Sequence, residues 1–329
     1  MESECHDVQA EGQHNVGVFR HTVIQAWASA SVSWKDETMT RLRVEVRGPT
    51  PIPAEERIRL AARLGSNPSS VLGVRERAPV TGWRAVDSTG EWQGFIVHDD
   101  ARPGAGQEGE WVATSAEVLC ALYTVAADAW ATQGVWTHQV VLRDGDPLES
   151  TLLSLGFGHQ QAYGVMNTDR RWPDAVSEAR ILRQQEHSHV LPLVPLVSEH
   201  QAESPVFAPR TEAFLRELDA SFLDWAEADE VVVFGHFDRE TREPTGFLAV
   251  DLSEAVPEIV LAAVAPSARG RGVGRALLTA MQLWAYEQRI PQWHVDWRTT
   301  NPQAHRFWIG VGVDVSAHRW SRTIDSRPS

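Results

Sequence analysis

Between Val260 and Leu278 the chain reads VLAAVAPSARGRGVGRALL: an apolar run of strand length, a proline, three arginines threaded through three glycines, then a return to apolar residues. Leu277, Leu278, Met281, Trp284 and Ala285 fall at i, i+1, i+4, i+7 and i+8, so Arg275 to Arg289 reads as an amphipathic helix. The preceding EIVLAAVA reads as a buried central strand, because strands covered on both faces are continuously apolar. A strand that runs through a glycine turn straight into a helix restricts the fold to one in which helices pack on a sheet.

The turn also restricts the chemistry. Closely spaced glycines before a helix start expose backbone N–H groups at the positive end of the helix dipole, an arrangement that suits phosphate. Arg269, Arg271 and Arg275 would add charge-assisted bonds to a pyrophosphate. The plainer alternative is a tight, solvated strand-to-helix connection. Neither familiar phosphate fingerprint fits. A Walker loop needs Gly-Lys-Ser or Gly-Lys-Thr, which is missing, and a dinucleotide fingerprint starting at Gly270 and Gly272 meets Arg275 where its third glycine belongs.

This basic turn stands out in an acidic chain. Across 329 residues, 44 Asp and Glu oppose 30 Lys and Arg, a net charge of -14 that argues against nonspecific binding to nucleic acid or anionic membrane and favours cationic small molecules. Cys5 and Cys120 form neither a zinc spacing nor a disulfide framework, so no metal is expected and a reducing compartment, the cytoplasm, is. No run reaches the roughly 18 apolar residues of a membrane helix, and MESECHD is acidic where a signal peptide is basic.

Residues 1–38 lack periodicity and read as a flexible extension, with Met39 as an alternative start before the alternating MTRLRVEVRG. A helix follows from Pro53, strand-like pieces (SVLGVRER, WQGFIVHD) from Val71 to Asp99, and a helix from Ala116 to Gly134. VWTHQVVL then reads as a strand and PLESTLLSLGF as a short helix with a glycine exit. The polar, proline-broken NTDRRWPDAVSEAR marks a linker. Beyond it come an amphipathic helix (RTEAFLRELDASFLDWAE), a hairpin of VVVFGHF and GFLAVDL, the unit already described, the alternating strand WHVDWR, and a helix with Asn301 as N-cap and Gly310 or Gly312 as its stop. Helix, strand, short helix and glycine exit thus occur twice, and the pairs His138/His294 and Gly156/Gly312 share the offset 156. A tandem repeat of one fold accounts for this.

Arg269-x-x-Gly272-x-Gly274 after a Val-x-Pro turn resembles the coenzyme A pyrophosphate loop of the GNAT N-acetyltransferase superfamily, and NPQAHRFWIGVGV resembles that family's later Asn-x-x-Ala-x-x-Phe-Tyr…Gly-Phe segment. The resemblance covers residues 181 to about 325. It implies the acyl-CoA N-acyltransferase fold, an α/β (α+β) mixed sheet in two tandem copies. A degenerate copy would take residues 39–168, a linker 169–180 and a coenzyme-binding copy 181–329. In the first copy the loop equivalent, ATSAEV, contains no glycine, so that copy is expected to be coenzyme-free.

By the same resemblance acetyl-CoA is the co-substrate. It would be held by the Arg269, Gly270, Arg271, Gly272, Val273, Gly274 and Arg275 loop and by Asn301, with a bulge amide near Val264 receiving the thioester oxygen. The attacking amine must lose a proton, and the candidates for taking it are Glu258, at the start of the central strand, and Asp296 with His294 on the next strand. The family's tyrosine, the general acid for the departing thiolate, is replaced by Trp308, whose indole cannot deliver a proton; either the thiolate leaves unassisted, another donor such as Tyr286 or water serves, or catalysis is lost. Glu217, Asp219, Asp224 and Glu227 are expected to draw a cationic amine into the acceptor cleft. Two functions stay open: acetyl-CoA-dependent N-acetylation of a small amine, and a noncatalytic coenzyme-binding or partner-binding role. The oligomeric state is left open.

Overall fold

The computed structural model describes residues 44–63, 80–98, 107–168, 178–208 and 212–324. The strand readings at 39–43 and 70–77 and most of the linker lie outside these residues. The chain divides into two compact units, the first holding the described residues of 44–137 with Ile324, the second 138–323.

In the first unit β1 (Glu45–Ile52), β2 (Val80–Val86), β3 (Trp92–His98) and β4 (Gln107–Ala113) form an antiparallel run in chain order, with α1 (Ala54–Arg63) and α2 (Ala116–Thr132). The periodicity of α2 does what its spacing predicts: Leu119, Leu122, Tyr123, Ala126 and Trp130 are buried. Trp130 meets Trp83 edge-on at 5.6 Å and stacks on Trp111 at 6.0 Å. Large aromatic surfaces removed from water in this way supply much of a small core's stability.

The second unit begins within β5 (Thr137–Arg143) and continues through α3 (Glu149–Ser154) and β6 (Gly158–Asn167). Then come β7 (Arg180–Ile181), a 3-10 helix (Gln184–Leu193), α4 (Pro195–Ala202), α5 (Glu212–Ala226), β8 (Val231–Phe237), β9 (Pro244–Asp251) and β10 (Glu258–Val264). The last elements are α6 (Val273–Glu287), β11 (Gln292–Arg298), α7 (Pro302–Gly310) and β12 (Asp314–Thr323). The sheet order is β5-β12-β6-β11-β10-β9-β8-β7, with β10 and β11 parallel.

The repeat is visible here. β5-α3-β6 and β11-α7-β12 have the same order, and Gly156 and Gly312, at φ 82° and 88°, end the two short helices in the left-handed conformation that glycine adopts without strain. The closing strands are exchanged: β6 lies between β11 and β12, and β12 lies beside β5. Tyr163 of β6 faces Asp296 on one side and Ala317 on the other. The sequence reading groups residues 138–168 with the first copy. The contacts place them in the second unit, because β6 has both of its hydrogen-bonded neighbours there. The long apolar core of this unit packs α6 and α7 on one face of the sheet, while α5 and the 3-10 helix pack on the other.

Candidate active site

The site exists because two parallel strands part. β10 and β11 are in register at Glu258 and His294 and at Ile259 and Val295, and at no later pair. The cause lies on the opposite edge of β10, where pairing with β9 slips between Ile259 and Leu261, so Val260 is an inserted residue. Such a bulge bends its strand and reverses which side chains face which way. Ile259 accordingly packs in the core beneath α6, and Leu261 packs with the core on the other face.

Beyond the bulge a cleft of about 500 Å³ opens, lined by residues 260–264 of β10, by Asp296 to Arg298 of β11, and by the starts of α6 and α7. Two sequence expectations are corrected here. The central strand is apolar but not buried; only Ile259 is, because the rest of the run lines the cleft. The bulge expected near Val264 falls at Val260, while Val264 is paired in register with Gly246 and still lines the cleft.

One end of the cleft is the glycine turn. After a single 3-10 turn (Pro266–Ala268), Gly270 and Gly272 take φ 74° and 87°, and no atom lies within 4 Å of where a Cβ would stand on either. Gly272 is the N-cap of α6 and, having no side chain, accepts nothing from the first turn. The amides of Val273, Gly274 and Arg275 therefore have no partner within the helix. Arg269, Arg271 and Arg275 are exposed around them. A Cβ on Gly274 would stand 3.2 Å from Phe307 Cε2, so this glycine allows α6 to begin close against α7. Open amides, absent side chains and flanking guanidinium groups fit a pyrophosphate.

The first unit offers a contrast. At the start of α2 the Ser115 hydroxyl accepts from Val118 N at 3.3 Å, and Glu117 puts a carboxylate in the first turn. That helix start is capped by its own residues and holds a negative charge, so it suits no phosphate.

Asn301 caps α7, its Oδ1 accepting from Gln303 N at 3.1 Å and Ala304 N at 3.0 Å. The capping role and a place in the cleft lining hold together, since its amide NH2 is separate from the capping oxygen.

Glu258 stands at the mouth of the strand pair, one residue before the first cleft-lining position, Ile259. Burial pushes its carboxyl up to about 7, and the charges of Asp296, Asp251 and Glu254 add to the rise. Asp296 lines the cleft and accepts from Gln161 Nε2 of β6, and Gln161 in turn accepts from Arg319 of β12. The ring of His294 is held below its ordinary value by burial alone. The structure thus gathers Glu258, Asp296 and His294 at one end of the strand pair.

Other expectations separate. Tyr286 is 47% exposed in the last turn of α6 and lies outside the cleft lining. Trp308 lines the cleft but is buried among Trp293, Trp297 and Phe307. Of the described side chains of the acidic α5, Leu218 reaches the cleft; Glu217 and Asp224, with Glu227 just after the helix, are exposed to solvent, as the polar stripe of an amphipathic helix is, and the side chains of Phe214 and Asp219 lie outside the described residues.

The opposite wall is built by α4, with Ser198, His200 and Gln201 in the lining. The sequence reading passes over this helix; its one local signal is Pro195 at N1. Gln161 was equally silent, since only the strand exchange brings it to the site.

The family model described as "Acetyltransferase (GNAT) family" matches residues 195–312. Among solved structures, a GCN5-related N-acetyltransferase from Sphaerobacter thermophilus is 16% identical with a TM-score of 0.58, the match covering 87% of this chain and 97% of that one. A tandem GNAT protein from the clavulanic acid biosynthesis pathway, solved without AcCoA, is 13% identical with a TM-score of 0.51, covering 87% and 99%. At these identities the two structures establish the fold. No curated protein matches the chain. Among the described residues no helix is long and apolar enough to cross a membrane.

Proposed function

We propose, from the match of residues 195–312 to the GNAT acetyltransferase family model, that the second unit transfers an acetyl group from acetyl-CoA to the amine of a small, cationic acceptor. The observation that carries this reading is the cleft opened by the Val260 bulge, which has the uncapped start of α6 at one end and the Glu258 and Asp296 carboxylates near the other.

Acetyl-CoA supplies the activated acyl thioester. Gly270 to Arg275 and Arg269 hold its pyrophosphate through backbone amides and guanidinium groups, Asn301 contacts it with its free NH2, and the β10 backbone from Val260 to Val264 provides the amides beside the thioester. Glu258 takes the proton that the incoming ammonium must lose. A carboxyl near 7 is partly ionised at neutral pH, and it accepts that proton from the ammonium with a smaller penalty than a more acidic carboxyl would. Asp296, oriented by Gln161, keeps the Glu258 carboxyl high and adds a negative wall that favours a cation. The first unit has the shape without an open helix start and binds no coenzyme.

A noncatalytic coenzyme-binding role is favoured by one observation, the buried indole of Trp308 where the family's tyrosine stands. Calorimetric titration with acetyl-CoA and with free coenzyme A, followed by an amine screen that reads thiol release, separates the two. One site per chain with amine-dependent thiol release supports the enzyme, one site without release supports the binding protein, and no site refutes both.

A further inference from the structure

Outside the cleft lining, three side chains from separate parts of the second unit converge: Asp144 just after β5, Glu149 at the start of α3, and His318 on β12, with one ligand atom of each within 4.8 Å of the others. We propose that these three residues bind a divalent transition-metal ion, zinc by the character of the set, and that the ion ties the β5–α3 connection to β12.

The geometry carries the argument. His318 is only 8% exposed, yet its Nδ1 makes no hydrogen bond. That nitrogen lies 3.3 Å from Asp144 Oδ1, outside hydrogen-bond alignment. Two ligand atoms held about 2.0–2.2 Å from one tetrahedral zinc stand about 3.3–3.5 Å apart, which is the spacing of this pair. The backbone N–H of Asp144 donates to Ser316 O at 3.0 Å, which fixes the aspartate beside β12, two residues along the chain from His318. Glu149 Oε1 accepts from Gly145 N at 3.0 Å; this orients the carboxylate and leaves its second oxygen for a ligand.

A simple ion pair explains the cluster less well. The His318 ring stacks on His159 at 4.0 Å and 9°. A single imidazole cannot balance two carboxylates, and a buried ring nitrogen without a hydrogen bond costs free energy. One cation meets both needs: the ring nitrogen gains a partner, and two carboxylates neutralise a 2+ ion. One imidazole among oxygen ligands favours zinc over magnesium or calcium.

The test uses the full chain, stripped with EDTA and titrated with Zn²⁺ by calorimetry, with thermal unfolding measured in parallel. Wild type should take up one Zn²⁺ per chain at this cluster, and its melting temperature should rise with Zn²⁺ but not with Mg²⁺. Asp144→Asn and Glu149→Gln, both outside the buried core and expected to fold, should bind that ion about tenfold or more weakly and lose the thermal response. Absence of Zn²⁺ uptake by wild type would overturn the proposal. So would uptake and thermal response unchanged in both variants, which would place the metal on others of the 13 histidines.

Discussion

Ile259 of β10 and Val295 of β11 are the last pair in register before the two parallel strands separate, and the residue that follows Ile259 is the inserted Val260. The neighbouring pair, Glu258 and His294, therefore sits where a closed sheet becomes an open cleft. Burial there, with the charges of Asp296, Asp251 and Glu254, lifts the Glu258 carboxyl to about 7, one residue before the cleft lining begins at Ile259.

If Glu258 is the base, the rate rises with pH through about 7 as the carboxyl ionises. Glu258→Gln should abolish that limb and slow turnover most near neutrality. Asp296→Asn, which removes the largest of the charges that raise the carboxyl, should move the limb to lower pH. A pH–rate profile of the three proteins checks this, and an unmoved limb in Glu258→Gln would clear Glu258.

The same group has a signature in stability. Its folded value lies above the unfolded one, so folding favours the protonated form, and the stability contribution is lost as pH rises from about 4.5 to about 7. Glu258→Gln should melt higher than wild type at about pH 8 and alike at about pH 4, with the difference appearing through that window. Melting curves across pH decide it.

Gly272 separates strain from charge. At φ 87° any side chain there costs about 1–2 kcal/mol, and a new Cβ meets nothing within 4 Å. Gly272→Asn and Gly272→Asp share that strain and nearly the same shape, but only the second puts a carboxylate where a pyrophosphate would bind. Coenzyme A affinity in Gly272→Asp should fall about tenfold or more below that of Gly272→Asn, a difference of about 1.4 kcal/mol. Equal affinities would refute the placement of the phosphates.

A fragment of 181–329 omits β6, which would leave β11 and β12 without the strand that joins them. It should be insoluble or unfolded by circular dichroism, whereas 138–329 should fold, since that span contains β5, β6 and α3. A well-folded shorter fragment would show that β11 and β12 can close on each other.

Trp308→Ala should destabilise by about 3–5 kcal/mol, as loss of a buried tryptophan does. Trp308→Phe keeps an apolar ring and removes the N–H; because an indole delivers no proton at neutral pH, kcat should stay within about threefold of wild type. A collapse of kcat with intact folding would give the indole a direct part in the reaction.

The elements that carry their own pattern were legible from the residues alone. Glycine spacing before the periodic run of α6, the alternation of β11, the buried stripe of α2 and the Asn301 cap are all local signals, set by backbone conformation and by which side chains share a face. What depended on distant partners was not legible. The apolar run of β10 looks buried in sequence but lines a cleft, because a bulge is a mismatch between two strands and no property of one. β6 reads as the end of one copy yet serves the other, since a strand's neighbours are chosen by hydrogen bonding across the sheet. Glu217 and Asp224 share α5 with Leu218 but not its face toward the cleft. Gln161 reaches Asp296, and Asp144, Glu149 and His318 meet, only after the exchange of closing strands. Residue type and spacing determined the secondary structure and the glycine turn; tertiary pairing alone decided the cleft, the raised carboxyl and the meeting of Asp144, Glu149 and His318, because each arises from groups far apart in the chain.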